Sequence, residues 1–589
     1  MSETRICQNC KNEFRIEPED FAFYEKIKVP PPTWCPECRM MRRFLFRNQR
    51  NLFRRKDDAS GKEIFGSFPQ DSPVKVYEHD YWWSDSWDPM EYGKDYDFSK
   101  PFFEQFKELL CSVPLFSKSI QKMVNSDYCD QGGFLKNCYL CFDTGFGENS
   151  AYVITGVEFK DSFDLYQSTH NELCYECVMV DEGYKNFFSV DCDNNRDVWF
   201  SKDLAGCSNC FGCVGLRSKS HHIFNQPYSK EEYFEKLKEY NLGSFAEVEK
   251  LKAKAGDLWL QFPVKFMHGY QNTDVSGEHI QNAKNVHQSY MVHEGQDSKF
   301  IQIAGGWVGE GMTDCYDHTN FGYNASLFYE ATSCGDEAYN IKFCWECWRA
   351  VKDLEYCAHC PSGNSDLFGC VGLRNKQYCI LNKQYSKESF DRLRTRIIQH
   401  MNEMPFKDGK GLIYKYGEFF PPEFSPFAYN ETMAYDFFPL SEEGARTKGF
   451  SWRNPDTREF QTTIAAASLP DHINEIDGSV LKQVIGCASC SKAYRIIPLE
   501  LEFLKKMGLP LPRLCPSCRF FERMKQVNPP KFWNRVCQCA GAGDDRKAYQ
   551  NVGSHFHSSE HCPNKFETSY APERPEIVYC EACYNREIL

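Results

Sequence analysis

Eight cysteines set the frame of this chain, because their spacing is written twice. Cys7-x2-Cys10 is followed after 24 residues by Cys35-x2-Cys38, and Cys487-x2-Cys490 after 24 residues by Cys515-x2-Cys518. Every position is offset by 480, and the interior follows: Phe23 falls on Phe503, Pro30 on Pro510, Pro32 on Pro512 and Arg39 on Arg519. A short C-x2-C turn offers two thiolates to one edge of a tetrahedron, and a metal joins the two turns. Such a segment has little core of its own, so metal binding supplies most of its folding free energy. Pro36 and Pro516 sit where a proline suits the first turn of a helix. The pattern predicts a zinc-ribbon or treble-clef module at each end.

A second unit follows each module, and its two copies have diverged. Aligning Pro575 with Pro73 and Tyr579 with Tyr77 sets Glu78 against Cys580 and Tyr81 against Cys583, while Asp57 and Asp58 lie where the other copy has Cys537-x-Cys539. A third zinc is therefore expected at the C-terminal end only, on Cys537, Cys539, Cys580 and Cys583. His557, His561 and Cys562 compete for a place, and His555, His557 and His561 are a dense enough cluster to form another site.

Between the modules runs a short period. Asn137, Asn149, Asp161, Glu172, Asp197 and Asn209 precede brief β-type runs at intervals of 11–13 residues. Strand-like runs between turn residues at a fixed short period predict a solenoid, with two such units expected per coil. The design recurs over 283–385. "FGCVGLR" from Phe211 matches the same string from Phe368 at an offset of 157, but "CYEC" (174–177) matches "CWEC" (344–347) at 170. That difference of 13 suggests that the second half lost a rung. Ser229 with Glu232, and Ser244 with Glu247, read as capping boxes. Phe390, Leu393, Ile397, Ile398 and Met401 form an apolar helix face. These helices are expected to cover the open solenoid ends.

The fold class expected is thus multidomain and mainly β with some α: zinc modules at both termini flanking two β-solenoid halves with capping helices. The segments expected are 1–98 (zinc module and degenerate second unit), 99–136 (helical connector), 137–258 and 259–404 (solenoid halves with their helices), 405–485 (Pro- and aromatic-rich) and 486–589 (double zinc module).

The chain has 31 cysteines, a net charge of −13 and no run of 18 apolar residues. The last feature excludes a membrane-spanning helix. A zinc-type motif starts at Cys7 with no apolar stretch before it, so a reducing cytoplasm is the expected compartment. The cysteines between the modules, such as Cys207-x2-Cys210-x2-Cys213, read either as further metal ligands or as small apolar filler stacked inside the solenoid. Residues i and i+3 of a regular strand face opposite sides, which favours filler.

The strings "CPxCR", "YWWSDSWDP", "CFGCVGLR", "YNET" and "FETSYAPERPEIVYCEACY" together span nearly the whole chain. They resemble large uncharacterised zinc-ribbon proteins of candidate-phyla-radiation bacteria. The resemblance implies zinc binding and a cytoplasmic role, and it lends no catalytic residues.

Beyond zinc, the strongest functional signal is the stripe Arg39, Arg42, Arg43, Arg47, Arg50 and Arg54, confined on a helix to an arc of about 140° with Phe44, Phe46 and Phe53 interleaved. Arginines hold phosphates and aromatics stack on bases, so RNA or a ribonucleoprotein is the partner this stripe suggests. The other reading is a solvated face, or arginines paired with acids such as Asp80, Asp85 and Asp88. Trp82, Trp83 and Trp87 are expected to be packed in the module's own core. No P-loop, dinucleotide fingerprint or H-E-x-x-H occurs. The function expected is a non-enzymatic scaffold with three zinc ions; the alternative is an enzyme or glycan-binding protein using the solenoid groove.

Overall fold

In a computed structural model the chain forms two compact units, each built from two separate stretches: Met1–Ser119 with Met267–Asn454, and Ile120–Phe266 with Pro455–Leu589. The residues described are 2–305, 311–335, 338–454, 461–540, 549–558 and 560–588. The sequence-order segments are therefore regrouped. The N-terminal four-cysteine module belongs with the second solenoid half, and the C-terminal one with the first.

In the second unit, parallel strands Phe142–Glu148, Ile154–Lys160, Phe163–Glu172 and Tyr175–Asp181 stack at a constant step of 12 residues, Phe142 on Ile154 on Tyr166 on Val178. One 12-residue unit is therefore a whole coil, and the expectation of two units per coil is corrected. The reason lies in the corners. Every third residue, from Asn137, Leu140 and Asp143 through Asn149 to Asp161 and Asp164, has φ near +50°. A left-handed residue turns the chain, so each coil has four short sides of three residues. Such a conformation costs a non-glycine residue about 1–2 kcal/mol, which explains the Asn and Asp noted at the run boundaries. Coil-to-coil bonds offset the cost. Asn125 donates to Asn137 and Asn137 to Asn149 (3.1 and 3.0 Å), while inward Ser150 and Ser162 accept the N–H of Ser162 and Cys174 one coil on.

The same geometry explains the C-x2-C pairs. With a corner every third residue, i and i+3 both point inward, so the flat-strand argument from opposite faces does not apply. Cys174, Cys177, Cys207, Cys210 and Cys213 all lie in one dry interior with Val153, Leu165 and Val198. Burial pushes the Cys174 thiol up to about 12, and Cys177 Sγ donates to the Asn186 carbonyl of the next coil (3.2 Å). Their packing is that of small apolar filler, and among the described residues no solenoid cysteine joins a group that could hold a metal.

In the first unit the coils lengthen. His318, Ala331 and Cys344 stack at steps of 13, as do Trp345, Ala358 and Val371. The left-handed corners Asp317, Glu330, Phe343, Tyr356 and Gly369 match Asp164, Glu176, Phe188, Phe200 and Gly212. The offset grows from 153 to 157 over these four rungs, one residue per rung. The offset of 157 therefore reflects longer rungs, and no rung is lost between these columns. The interior again holds Cys344, Cys347, Cys357, Cys360 and Cys370.

Each half ends on a capped helix. Ser229 and Glu232 exchange both bonds of a capping box ahead of Lys230–Leu237, and Tyr233 packs on His221 of the last coil. Lys387–Glu403 buries Phe390, Ile397 and Met401 in the first unit. Among the described residues no helix is long and apolar enough to cross a membrane.

Two histidines inside the first unit carry a pH prediction. His318 and His359 are buried, and desolvation lowers both to about 3. The unfolded chain therefore binds these two protons below about pH 6.5 while the folded one does not. Their contribution to stability is complete above pH 6.5 and is lost as the pH falls towards 3. Each should remove about 2 kcal/mol between pH 7 and pH 5. Urea unfolding of a His318→Phe, His359→Phe double variant should show a flatter acid limb than the parent; equal slopes would contradict it.

Candidate metal centres

The two modules are built alike. In the first unit, strands Glu3–Ile6 and Glu13–Ile16 form an antiparallel hairpin whose turn carries Cys7 and Cys10. The second pair opens the helix Pro36–Phe44, with Cys35 at its N-cap and Pro36 in its first turn. The ligand atoms of Cys7, Cys10, Cys35 and Cys38 all lie within 4.8 Å of one another, as do those of Cys487, Cys490, Cys515 and Cys518. Cys10 Sγ and Cys35 Sγ are 3.7 Å apart, and so are Cys490 Sγ and Cys515 Sγ. A tetrahedral ion with Zn–S near 2.3 Å requires sulfurs about 3.8 Å apart. The Cys35 amide donates to Cys7 Sγ (3.2 Å), as Cys515 N does to Cys487 Sγ (3.2 Å). Such N–H···S bonds favour the thiolate that a metal needs.

At the C-terminal end the expected ligand set changes. The hairpin Trp533–Val536 with Lys565–Thr568 runs in a register that bonds Cys537 N to the Asn564 carbonyl. That register brings Cys562 beside Cys537. The group is Cys537, Cys562, Cys580 and Cys583, all buried, and Cys562 Sγ lies 3.8 Å from Cys580 Sγ. Cys539, expected in this set, is carried past it into a second group with His555, His557 and, again, Cys583. Within it, His557 Nε2 lies 3.4 Å from Cys539 Sγ and 3.3 Å from Cys583 Sγ. The outer ring nitrogens are held too. His555 Nε2 faces Glu587 (2.6 Å) and His557 Nδ1 faces the Glu560 carbonyl (2.6 Å). Partners of this kind fix the tautomer and raise the basicity of a metal-ligating imidazole. His561 lies in neither group. The spacing of cysteines alone could not assign these ligands, because the hairpin register decides them.

The N-terminal copy has carboxylates where the C-terminal one has cysteines. Cys580 N donates to Cys537 Sγ (3.1 Å); at the matching place Glu78 N donates to Asp57 Oδ1 (3.0 Å). The Glu78 carboxylate caps the helix that follows, accepting from Asp80 N and Tyr81 N. Carboxylate hydrogen bonds thus join the same places in the fold that Cys537 and Cys580 occupy.

The arginine stripe is the clearest correction. Arg39, Arg42, Arg43 and Arg47 are 0–3 % exposed, which leaves no face for phosphates. Arg39 grips Asp317 with two bonds of 2.9 Å, and Arg43 donates to the same carboxylate (3.0 Å) and to Gln302 Oε1 (2.8 Å). Arg42 pairs with Glu330 and with Glu418 (3.1 Å), Arg47 with Glu346 (3.3 Å) and Arg50 with Asp436 (2.6 Å). Only Arg54, paired with Glu63, is half exposed. The acids are not Asp80, Asp85 and Asp88 but groups on the solenoid corners and in 418–436. The stripe is thus the key by which the helix Pro36–Phe44 docks on its solenoid. The C-terminal module repeats it: Arg523 donates to Asp164 (2.8 Å), and Arg519 sits 3.2 Å from Asp164 and 2.7 Å from Glu500. Phe23 stacks on Tyr316 as Phe503 packs on Phe163. Asp164 and Asp317 gave no signal in sequence, because their place at solenoid corners shows only in the backbone. Trp82 is buried and donates to the Pro114 carbonyl (2.8 Å), with Arg374 over its ring.

No family model and no curated protein matches the chain.

Proposed function

We propose that this protein is a zinc-stabilised, non-enzymatic scaffold in which treble-clef-type modules clamp two β-solenoids, and that it holds four zinc ions. Two sit in the four-cysteine modules. The other two form one binuclear centre in which the Cys583 thiolate bridges Zn(Cys537, Cys562, Cys580) and Zn(Cys539, His555, His557). The observation that carries this reading is the sharing of Cys583 by two groups whose four donor atoms each lie within 4.8 Å of one another. Each donor set is complete at four, so no coordination position is left for water or substrate, which is the signature of a structural and not a catalytic zinc. Thiolate with imidazole suits zinc over the hard cations. All 31 cysteines are outside disulfides, which supports a reducing compartment such as the cytoplasm. The resemblance to zinc-ribbon proteins of candidate-phyla-radiation bacteria supports the same reading.

Cadmium, a spin-active zinc surrogate, tests it. The fully exchanged protein should give four cadmium resonances, two of them split by coupling through the shared sulfur. His557→Ala should remove one of that coupled pair and leave the other three ions bound. Three uncoupled resonances would refute the bridged centre.

A further inference from the structure

The second unit contains a cavity of about 1170 Å³ walled by the solenoid corners Phe188 and Phe200, the module helix Pro516–Met524 and the helix Phe245–Trp259. The duplication says what belongs there. In the first unit the corresponding space is filled by the chain's own segment Ile413–Phe420. Its Ile413 backbone exchanges two bonds with the Gln8 side-chain amide, accepting from Nε2 (3.1 Å) and donating to Oε1 (3.2 Å). Its Gly417 passes so close to Pro30 that an added Cβ would lie 2.3 Å from the ring, and Gly417 N donates to the Tyr356 hydroxyl (2.9 Å). Its Glu418 is held by Thr33 N (3.3 Å) and Arg42, and its Tyr414 packs near Trp34.

The positions matching Gln8, Pro30, Thr33, Trp34, Arg42 and Tyr356 are Ala488, Pro510, Arg513, Leu514, Glu522 and Phe200. All six line the cavity. The surface that receives a segment in one unit is thus present in the other, and no described residue fills it there.

We propose that this cavity binds an extended segment of a partner protein, aromatic in character and carrying one acidic side chain. Phe188 and Phe200, stacked at 4.8 Å, replace Phe343 and Tyr356, the aromatic platform on which Tyr416 and Phe420 lie in the first unit. Pro510 preserves the constriction that Gly417 threads, so a glycine or other small residue is required there. The charge has moved but has not vanished: Arg513 stands at the place of Thr33, its guanidinium anchored by the Ala466 and Pro470 carbonyls (3.1 and 2.7 Å) and lining the cavity, while Glu522 replaces Arg42. The polar bonds that Gln8 and Tyr356 make to the resident segment are missing from Ala488 and Phe200, so the visitor is held by apolar area and by Arg513, suited to exchange. This inference goes beyond the metal reading and survives its failure, since it rests on the internal repeat alone.

Gly256 gives a clean test. It lines the cavity from the helix Phe245–Trp259, and an added Cβ there meets no atom within 4 Å. The zinc-replete, full-length protein is used to select from a displayed library of random dodecapeptides, and the selected peptides are synthesised and titrated by fluorescence anisotropy. Enriched peptides should contain at least two aromatic residues, a small residue and an acid. Gly256→Trp, which fills the cavity, should weaken them at least tenfold while zinc content and thermal midpoint stay unchanged. Gly256→Ala should bind as the parent does. If the tryptophan lowers the midpoint, Gly256→Leu supplies the same obstruction with less bulk. No enrichment over a control surface, or equal binding to the parent and to the folded occluded variant, overturns the proposal.

Discussion

Asp317→Ala should destabilise the first unit by about 3–5 kcal/mol, the usual cost of leaving a buried charge without its partner. The carboxylate is fully buried and answers two arginines at once. Arg43 would keep Thr319 and Gln302, but Arg39 would keep only the Trp34 carbonyl (2.7 Å). Hydrating either guanidinium means separating the module helix from the corner column. The twin change Asp164→Ala should cost less, because Glu500 remains for Arg519. The exposed pair Arg54 and Glu63 provides the control: Arg54→Ala should change stability by less than about 1 kcal/mol. Differential scanning calorimetry should show the ranking Asp317→Ala, then Asp164→Ala, then Arg54→Ala. A first-unit transition unmoved by Asp317→Ala would mean that the arginine key does not hold the module.

Removing zinc should have the larger effect. Apparent binding energies for structural zinc run to about 10–16 kcal/mol, whereas a whole domain is stable by about 5–15 kcal/mol. Detached from their solenoids, the modules have little other source of order. The hairpin Glu3–Ile6 with Glu13–Ile16 has four-residue strands with mostly exposed side chains, and the helix Pro36–Phe44 has nine residues, too few to persist alone in water. Without the ion, Cys35 no longer anchors that helix and Arg39 no longer faces Asp317. Chelation, or Cys35→Ser in the first unit and Cys515→Ser in the second, should therefore melt the module and its docking together. The solenoid coils, whose bonds run from coil to coil, should outlast the modules.

Much of this was legible in sequence. The ligand pairs Cys7 to Cys38 and Cys487 to Cys518 follow from spacing, because a metal constrains residue type and separation at once. The solenoid was visible through its period. What sequence hid was the corner rule. A left-handed residue every third position leaves no composition signal stronger than scattered Asn and Asp, so Cys174 and Cys177 looked like residues on opposite faces when both point inward. Pairings set by tertiary register were hidden for the same reason. Cys562 takes the place expected for Cys539 because of one hairpin alignment, and Arg39 meets Asp317 across 278 positions. An arginine stripe with aromatics looks the same whether it meets phosphate or buried carboxylate, and only the fold separates the two.

Hydrogen exchange on the zinc-replete and the fully chelated protein is the most direct measurement of the claim that metal-ordered helices lock each module to its solenoid. With zinc bound, amides of Pro36–Phe44 and Pro516–Met524 should be protected to the same degree as the coils beneath them. With zinc removed, both helices should exchange at the rate of an unstructured peptide while the strands from Phe142 to Asp181 stay protected. Full protection of either helix in metal-free protein would contradict the account.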